Sequence, residues 1–331
     1  MPNASYDVVT IGNAIVDIIG HCDDAFLVRH DCPKGHMRIV DSPTISKLYD
    51  NMGPAIEISG GSAANTAVGV ASLGGKAGFI GKIADDDFGA VFTHDIKAAG
   101  VAFDGRAKSG GAPTSRSLIL VTPDGERTMN TLLGISTELS DAELPHSMIE
   151  AAKILYLEGY LFDRPEAKNA FRQAVAIAKK AGRQVALSLS DAFCVDRHRA
   201  EFLALIRTGV DVVFANEAEI TSLYETSDFD AAARSAAADM KLAILTRSVR
   251  GSVVLSAGQA IRIAAHPVDK VVDTTGAGDL YAAGFLHGLT QGLELDNCGR
   301  IASIAAAEII THTGARPATS LAQLVRSKDV V

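Results

Sequence analysis

The chain has 331 residues, of which 47% are hydrophobic and 21% are charged, and its formal net charge is −8. This composition is that of a globular protein, long enough for one large α/β domain or for two ordinary ones. The acidic balance and the lack of a dense basic cluster argue against nucleic acid or an acidic membrane surface as a partner.

Targeting and redox features favour a cytoplasmic protein. The N-terminal stretch lacks a basic segment and is interrupted by Asp7 and Asp17, so we interpret it as a first core strand with its loop, not as a signal peptide. No uninterrupted apolar run approaches the roughly 18 residues of a membrane span. The four cysteines have no CxxC spacing, which predicts reduced thiols and neither a disulfide framework nor a zinc site.

Short β-branched runs alternate with alanine-rich segments of helical length along most of the chain. The runs predicted as buried strands are residues 7–11, 77–80, 154–157, 185–189, 212–215 and 243–246. The segments predicted as helices are residues 63–73, 88–99, 165–181, 197–208, 217–224, 229–240, 279–290 and 296–311. This alternation predicts an α/β fold whose mostly parallel central sheet has helices on both faces.

Two early stretches interrupt the alternation and have the pattern of extended strands. They are two pairs, residues 37–40 with 56–59, and residues 115–122 with 127–133. The second pair is joined by Pro-Asp-Gly-Glu at 123–126, a hairpin signal. We predict a small β-sheet lid over about 34–59 and 112–134 that covers a ligand, with edge strands of the main sheet as the alternative. Since no repeat or proline-rich linker is visible, residues 1–331 are predicted to form a single domain with this lid.

The most informative segment is VDTTGAGDLYAAGFL, at residues 272–286. Its glycines allow a tight turn that leaves the first amides of the following helix unpaired. The amides of Ala277, Gly278 and Asp279 would lie at the positive end of the helix dipole, which suits a transferring phosphoryl group. Asp279 could accept a proton from an attacking hydroxyl as a general base, or it could simply cap the helix.

Other phosphate-binding motifs fit poorly. Around Lys76 the P-loop pattern GxxxxGK[ST] lacks its first glycine and its hydroxyl residue. The dinucleotide pattern GxGxxG fails in the 272–286 segment because Tyr281 stands at its last position. A nicotinamide-dependent oxidoreductase would also require that pattern after the first strand. This chain has Gly12-Asn13-Ala14 there, which argues against that class of enzyme.

A second glycine-rich segment, SGGSAANTAVGVASLG, occupies residues 59–74. Gly60 and Gly61 allow the backbone to approach a ligand closely, and Asn65 can both donate and accept hydrogen bonds. This chemistry suits a polyhydroxylated substrate, although an ordinary loop and helix start is the alternative.

Gly60-Gly-Ser-Ala-Ala-Asn65, taken together with Asp273-Thr-Thr-Gly-Ala-Gly-Asp279, resembles the two signatures of the ribokinase-like (PfkB) carbohydrate and nucleoside kinases. Further matches are Gly12-Asn13 with Asp17, Asn216-Glu-Ala-Glu219, and Gly314-Ala315. The resemblance spans nearly the whole chain. It implies a ribokinase-like fold and an ATP-dependent kinase.

The resemblance also implies roles for individual residues. Asp279 would be the catalytic base, and the backbone amides of Gly276, Ala277 and Gly278 would form an anion hole for the migrating phosphoryl group. Asp17 would accept hydrogen bonds from sugar hydroxyls. The remaining substrate-binding positions are Asn13, Gly60, Gly61, Asn65 and Glu158, the last with a purely structural alternative.

The resemblance implies ATP and Mg²⁺ as cofactors. Glu219, with Asn216, would organise Mg²⁺ through water, although NxxE is also a common helix start. The implied ATP-binding positions are Asn216, Thr246, Arg247, Gly251 and Gly278. Ser248 stands where the family often has glycine, which leaves the adenine contacts open. Asp273 and Thr275 match a monovalent-cation site, for which K⁺ is the expected ion.

The Gly-Gly-Ser start of the first signature resembles adenosine kinase and its bacterial relatives more than ribokinases, which usually carry Gly-Gly-Lys. Candidates for an apolar wall around a purine are Met37, Leu132, Leu133, Tyr160 and Phe162, each with an ordinary core or lid position as the alternative. We therefore predict phosphorylation of the 5′-hydroxyl of a purine nucleoside. A sugar kinase (ribokinase or fructokinase) and a non-catalytic binding protein remain alternatives, and the exposed lid edge is a candidate homodimer surface.

Overall fold

The computed structural model describes residues 4–105 and 108–328. Its strands are β1 (Tyr6–Ile11), β2 (Ile15–His21), β3 (Met37–Ile39), β4 (Ala55–Gly60), β5 (Ala77–Ile80), β6 (Ala102–Phe103), β7 (Ser115–Val121), β8 (Arg127–Leu132), β9 (Ala152–Glu158), β10 (Gln184–Ser188), β11 (Val212–Asn216), β12 (Leu242–Thr246), β13 (Ser252–Ser256) and β14 (Gln259–Ile263). Its α-helices are α1 (Asp24–Arg29), α2 (Ser42–Asn51), α3 (Ser62–Ser72), α4 (Asp87–Ala98), α5 (His146–Glu150), α6 (Pro165–Lys180), α7 (Ala192–Gly209), α8 (Glu217–Leu223), α9 (Phe229–Asp239), α10 (Ala277–Thr290), α11 (Leu295–Ile309) and α12 (Leu321–Arg326). Short 3-10 helices cover Gly134–Glu138, Asp141–Glu143, Gly159–Asp163 and Ser248–Arg250.

The main sheet has the strand order β14-β13-β12-β11-β10-β9-β1-β5-β6. The six predicted core strands are confirmed as β1, β5, β9, β10, β11 and β12, and all of these pair in parallel. The antiparallel hairpin β13–β14 was not predicted, although its turn at Ala257 and Gly258 has the positive φ angles typical of tight hairpins.

Both faces of this sheet are covered by helices. Adjacent residues of β1 show this, because Val8 packs in a core with α3, α10 and α11, whereas Val9 packs in a second core with α5 and α6. Two-sided burial explains why the parallel strands read as continuous apolar runs in the sequence. The predicted helix at 197–208 is the second part of α7, which is kinked at His198.

The lid is a separate sheet with the order β3-β8-β7-β2-β4. It exists as predicted, but the pairing of 37–40 with 56–59 is wrong, because β3 and β4 lie at opposite edges. The strand β2, which we had interpreted as a loop after β1, pairs with both β4 and β7 and separates them. The lid strands therefore do not belong to the main sheet.

Helices α1 and α2, which the sequence did not reveal, cover the outer face of the lid. Their apolar residues Phe26, Leu27, Ile45 and Leu48 share a core with the lid residues Ile18, Leu118 and Leu120. Within the described parts of the chain, no helix combines the length and the apolar content that a bilayer span requires.

Candidate active site

The order of the main sheet identifies where a ligand would bind. From β1 the chain adds β5 and β6 on one side, and β9 to β12 on the other. In parallel α/β sheets, a crevice forms at the carboxyl ends of the strands where the order reverses in this way. Asn13 follows β1 at this edge, and Glu158, Asn216 and Thr246 end strands there, so the topology gathers predicted residues from four separate segments.

Asp279 lies in the first turn of α10 and faces the start of α3. Its Oδ1 accepts a hydrogen bond from Ser62 Oγ at 2.6 Å, and its Oδ2 accepts one from Asn65 Nδ2 at 2.9 Å. Burial raises the pKa of Asp279, whereas these two bonds and the charge of Arg316 oppose the increase. The two signature segments thus meet at one carboxylate.

The two glycines of the turn before α10 lie in different surroundings. Gly276 has φ +79°, and a Cβ at this position would contact Ala315. Gly278 is exposed, and a Cβ there would meet no atom within 4 Å, so the backbone borders open space. The amide of Ala277 donates to Thr274 O at 3.2 Å, whereas Gly278 and Asp279 are at the free end of the helix.

Asp17 projects from the lid strand β2 toward the same place. Gly60 lies so close to its carboxylate that a Cβ on Gly60 would collide with it. Burial raises the pKa of Asp17 to about 6, and nearby Asp279 adds to this increase. The positive charges of Arg316 and Arg127 oppose it. The lid and helix α10 therefore each contribute one carboxylate to a shared site.

Asn13 and Glu158 are buried beneath this site and bind each other. Asn13 Nδ2 donates to Glu158 Oε1 at 2.7 Å, and Ser136 Oγ donates to Asn13 Oδ1 at 2.8 Å. Glu158 Oε2 accepts from the amide of Ala63 at 2.7 Å, and burial raises the pKa of Glu158 to about 7. These bonds fasten the end of β1 to the start of α3. Both residues are therefore placed to support from below the segment 59–65, in which β4 ends and α3 begins and which we call the substrate loop.

Asn65 has one polar atom that the protein leaves unused. Its Nδ2 is bound to Asp279, but its Oδ1 is buried without a hydrogen-bond partner among the described residues. An unpaired buried oxygen is costly, and a hydroxyl donor from a ligand would satisfy it. The neighbouring Gly61, with φ +99°, lies against Asn13 O and leaves no room for a side chain.

The residues predicted to bind nucleotide lie along the ends of β11 and β12. Asn216 caps α8 and forms a capping box with Glu219, whose Oε1 accepts from Asn216 Nδ2 at 2.5 Å. Thr246 pairs with Asn216 across the two strands, and Gly251 follows in the next turn with φ +75°. The guanidinium of Arg247 lies 3.7 Å from the ring centroid of Phe229, on the face of that ring.

The carboxylates at this edge suit a hydrated divalent cation. Burial raises the pKa of Glu219 to about 7, and the negative charges of Asp191 and Asp279 add to the increase. No set of three or more His, Cys, Asp or Glu side chains in the described chain is arranged to bind a metal directly. Glu219 and Asn216 offer the oxygen atoms that Mg²⁺ prefers, so the residues present fit an ion that is held through water.

Asp273 is engaged by protein donors on both oxygens. Its Oδ1 accepts from Thr275 N and Oγ1 at 3.0 and 2.7 Å, and its Oδ2 accepts from Gly314 N at 2.9 Å. Arg127 of the lid forms an ion pair with the same carboxylate. Asp273 thus joins the turn before α10 to the Gly314 segment and to the lid, and the monovalent-cation site at Asp273 and Thr275 stays a prediction.

The five candidates for an apolar wall are not gathered together. Phe162 is buried and stacked on Phe202 at 4.3 Å between ring centroids, so for this residue the core alternative holds. Leu132 is also in the core, on the helix-covered side of the lid. Met37 and Tyr160 are exposed. Burial of its hydroxyl, and then the charges of Asp191 and Asp279, raise the pKa of Tyr160.

Two arginines at the site were missed by the sequence analysis. Arg127 was noted only as part of a lid strand, and Arg316 directly follows the Gly314-Ala315 match without having been singled out. Arg127 forms an ion pair with the distant Asp273, whereas Arg316 acts on distant carboxylates through its charge. The only signal in the sequence was that Arg316 follows Gly314-Ala315, which matches the family pattern.

A mostly parallel α/β sheet, a β lid, and an aspartate at a glycine-rich helix start together define a ribokinase-like small-molecule kinase. The sequence profile of the pfkB family carbohydrate kinases matches residues 57–321, and the chain belongs to this family. It is accordingly an ATP-dependent phosphotransferase with an alcohol group as acceptor.

Relatives of the chain include both nucleoside and sugar kinases. It is 52% identical to the adenosine kinase from Sinorhizobium meliloti, with a TM-score of 0.91 over 98% of this chain and 100% of that chain. It is 48% identical to a probable sugar kinase from Rhizobium etli CFN 42, with a TM-score of 0.92 over 99% and 100%. A chloroplastic protein from Arabidopsis thaliana, probable fructokinase-6, is 33% identical over 79% of this chain and 70% of its own length.

Proposed function

We propose that the protein transfers the γ-phosphoryl group of ATP to the 5′-hydroxyl of a purine nucleoside. The observation that carries this proposal is the ligand-facing surface of the lid. Residues paired across the lid share a face, so the register identifies the side chains that lie beside Asp17. The 52% identical Sinorhizobium adenosine kinase supports the same substrate class.

On this face, residues that pair with one another across the five strands form rows. The row that passes through β2 two residues after Asp17 is apolar in all five strands. We call it the apolar row; it consists of Met37, Met129, Ile119, Ile19 and Ile56. Ile119 is buried at its centre, whereas Met37 and Ile56 at its ends are 59% and 67% exposed. A purine ring is flat and largely apolar on its faces, so such a row can bury it, whereas a polyol would leave its hydroxyls unpaired there.

The chemistry follows from the residues around Asp279. Asp17 and the unpaired Oδ1 of Asn65 would accept ribose hydroxyl bonds and orient the 5′-oxygen. Asp279 would then accept its proton as this oxygen attacks the γ-phosphorus in line, while the amides of Gly278 and Asp279 stabilise the charge on the phosphoryl oxygens. Glu219 and Asn216 would hold Mg²⁺ through water, and the bound ion would neutralise phosphate charge.

A sugar substrate is favoured by a different observation. The row that contains Asp17 is polar at its centre, where Ser117 and Thr131 lie beside Asp17 and share a hydrogen bond of 2.9 Å. The 33% identical probable fructokinase-6 belongs to this substrate class. We therefore retain a sugar kinase as the second candidate.

The test measures ADP release from ATP and Mg²⁺ with adenosine, inosine, guanosine, ribose and fructose as acceptors, and the Asp279→Asn variant as control. Turnover that is strongest on a nucleoside supports the proposal. Turnover on free sugars alone would contradict it and assign the second candidate. Varying K⁺ in the same assay tests the expected monovalent-ion dependence.

Two further expectations go with the proposal. The four cysteines form no disulfide, which suits the reducing cytoplasm. A homodimer through the lid would have to use its edges β3 and β4, because α1 and α2 cover its outer face. Light scattering of the purified protein would reveal such a dimer.

A further inference from the structure

Arg316 joins the C-terminal part of the chain to the substrate loop. Its Nε donates to Ser59 O at 2.8 Å, and its Nη2 donates to Ser59 Oγ at 2.8 Å. Its Nη1 donates to Ala64 O at 2.9 Å. The planar guanidinium thus spans Gly60 and Gly61 and binds the chain on both sides of these two glycines.

Ser59 is held from a second direction by α4. Asp95 Oδ2 accepts bonds from Ser59 N at 2.8 Å and from Ser59 Oγ at 2.5 Å. The residue before Gly60 is therefore fixed between a carboxylate and a guanidinium. Since Gly60 lies against the Asp17 carboxylate, a displacement of Ser59 would move the surface on which that carboxylate rests.

Arg316 also supplies charge to the site. It interacts electrostatically with Asp95, Asp17 and Asp279, and although burial lowers its pKa to about 10, it stays protonated at neutral pH. Its charge opposes the effect of burial on both Asp17 and Asp279. A cation in this place keeps two neighbouring carboxylates ionised together.

We propose that Arg316 is a positioning residue of the phosphotransfer reaction, which holds the 59–65 loop in its substrate-binding shape and supplies a positive charge to Asp17 and Asp279. This inference rests on the proposed function in one respect: it takes Asp17 as a substrate ligand and Asp279 as the catalytic base. It does not depend on which acceptor is phosphorylated.

Other charged and titratable groups face these two carboxylates and remain unchanged in the test. They are Arg127 on β8, Tyr156 and Glu158 on β9, Tyr160 after β9, and Glu219 on α8. Because their contribution is common to all variants, a change in pH dependence on replacing Arg316 reports the loss of its own charge.

The experiment measures kcat and KM against pH, using the best acceptor of the wild-type protein, for Arg316→Met and Arg316→Lys. Arg300→Met, on the exposed side of α11, is the matched control. Arg316→Met should lose at least about tenfold in kcat. The acid limb of its kcat–pH profile, where activity falls as the carboxylates become protonated, should move to higher pH by about one unit. Arg316→Lys keeps the charge but cannot bind Ser59 and Ala64 as a fork, so its acid limb should stay while KM rises.

Circular dichroism and thermal unfolding establish that each variant is folded. A folded Arg316→Met variant with an unshifted acid limb would overturn the proposal. If that variant does not fold, Arg316→Lys decides, because a shifted limb or an unchanged KM contradicts the proposal. Failure of the proposed function is seen separately, as wild-type turnover on sugars alone.

Discussion

At the scale of single residues, the ionisation of Asp279 results from opposing local effects. Burial favours the neutral carboxyl, whereas the bonds from Ser62 and Asn65 and the charge of Arg316 favour the carboxylate. A general base must be ionised to accept a proton, so these neighbours determine how much of the protein is competent at a given pH.

Replacing Asp279 by asparagine should remove the base and change little else. We expect Asp279→Asn to lower turnover by about 10²–10⁴-fold, with binding of the acceptor retained. ADP release and calorimetric titration of the acceptor measure the two effects. The control is Asp296→Asn in the first turn of α11, which should leave turnover unchanged. Retention of more than about half the activity would show that Asp279 is not the base.

Ser62 contributes through a hydrogen bond to that base. In Ser62→Ala the carboxylate loses its 2.6 Å donor, so the pKa of Asp279 should rise further and the acid limb of kcat should move to higher pH. Bonds to charged groups are typically worth about 1.5–3 kcal/mol, which corresponds to a pKa increase of roughly one to two units and, at pH values below the acid limb, to a rate loss of roughly tenfold or more. The exposed Ser42→Ala on α2 is the control, and an acid limb identical to wild type would refute this role.

At the scale of elements, the lid differs on its two faces. Its outer face is covered by α1 and α2, whereas its inner face presents Asp17 and Arg127 together with the apolar row. A single strand, β2, provides both Ile18 to the outer core and Asp17 to the site, because successive side chains point to opposite faces. The lid is therefore both a packing unit and half of the substrate site.

The preference of the enzyme for a nucleoside over a free sugar should depend on the exposed end of the apolar row. Met37→Ser removes apolar surface without opening a core cavity, so we expect KM for a nucleoside to rise by about tenfold. KM for a free sugar, and the stability of the protein, should change little. Steady-state kinetics with adenosine and fructose test this.

The matched control for Met37→Ser is Val28→Ser, an exposed position of α1 on the outer side of the lid. This variant should behave as wild type with both acceptors. Equal KM values for the nucleoside in the Met37→Ser variant and the wild type would argue against a base bound along the apolar row.

At the scale of the whole molecule, buried acids link stability to pH. Burial raises the pKa of Glu158 from an ordinary value of 4.5 to about 7. Between these values the folded protein binds more protons than the unfolded chain, so the free energy of unfolding falls as pH rises from about 4.5 to 7. Glu219 acts in the same direction.

We expect Glu158→Gln to flatten this dependence, because glutamine does not titrate. The variant should be less stable overall, since its amide cannot accept all the bonds from Asn13 and Ala63, but its unfolding midpoint should decline less between pH 5 and 8. Thermal unfolding across this range is the measurement. Glu166→Gln, at an exposed position of α6, should keep the wild-type slope, and a Glu158→Gln slope as steep as wild type would contradict the prediction.

The features that could be predicted from the sequence are local ones. The turn at Gly276 and the helix start at Asp279 follow from glycine conformation and from the free amides of a helix N-terminus, both set by a few adjacent residues. The core strands were predictable because a parallel sheet buried on both faces requires continuous apolar runs. Together with the resemblance of the two signatures, these signals determined the fold class and the kinase activity.

Other features were decided only by the tertiary structure, because they join residues distant in the chain. The order of the lid strands depends on which edges β2 occupies, and no local pattern encodes this choice. The sequence left Phe162 open between a core and a ligand-facing position, because an aromatic residue after a strand can face either. The contact of Arg316 with Ser59 spans 257 positions and exists only once the fold has closed, since packing and not sequence proximity brings the two residues together.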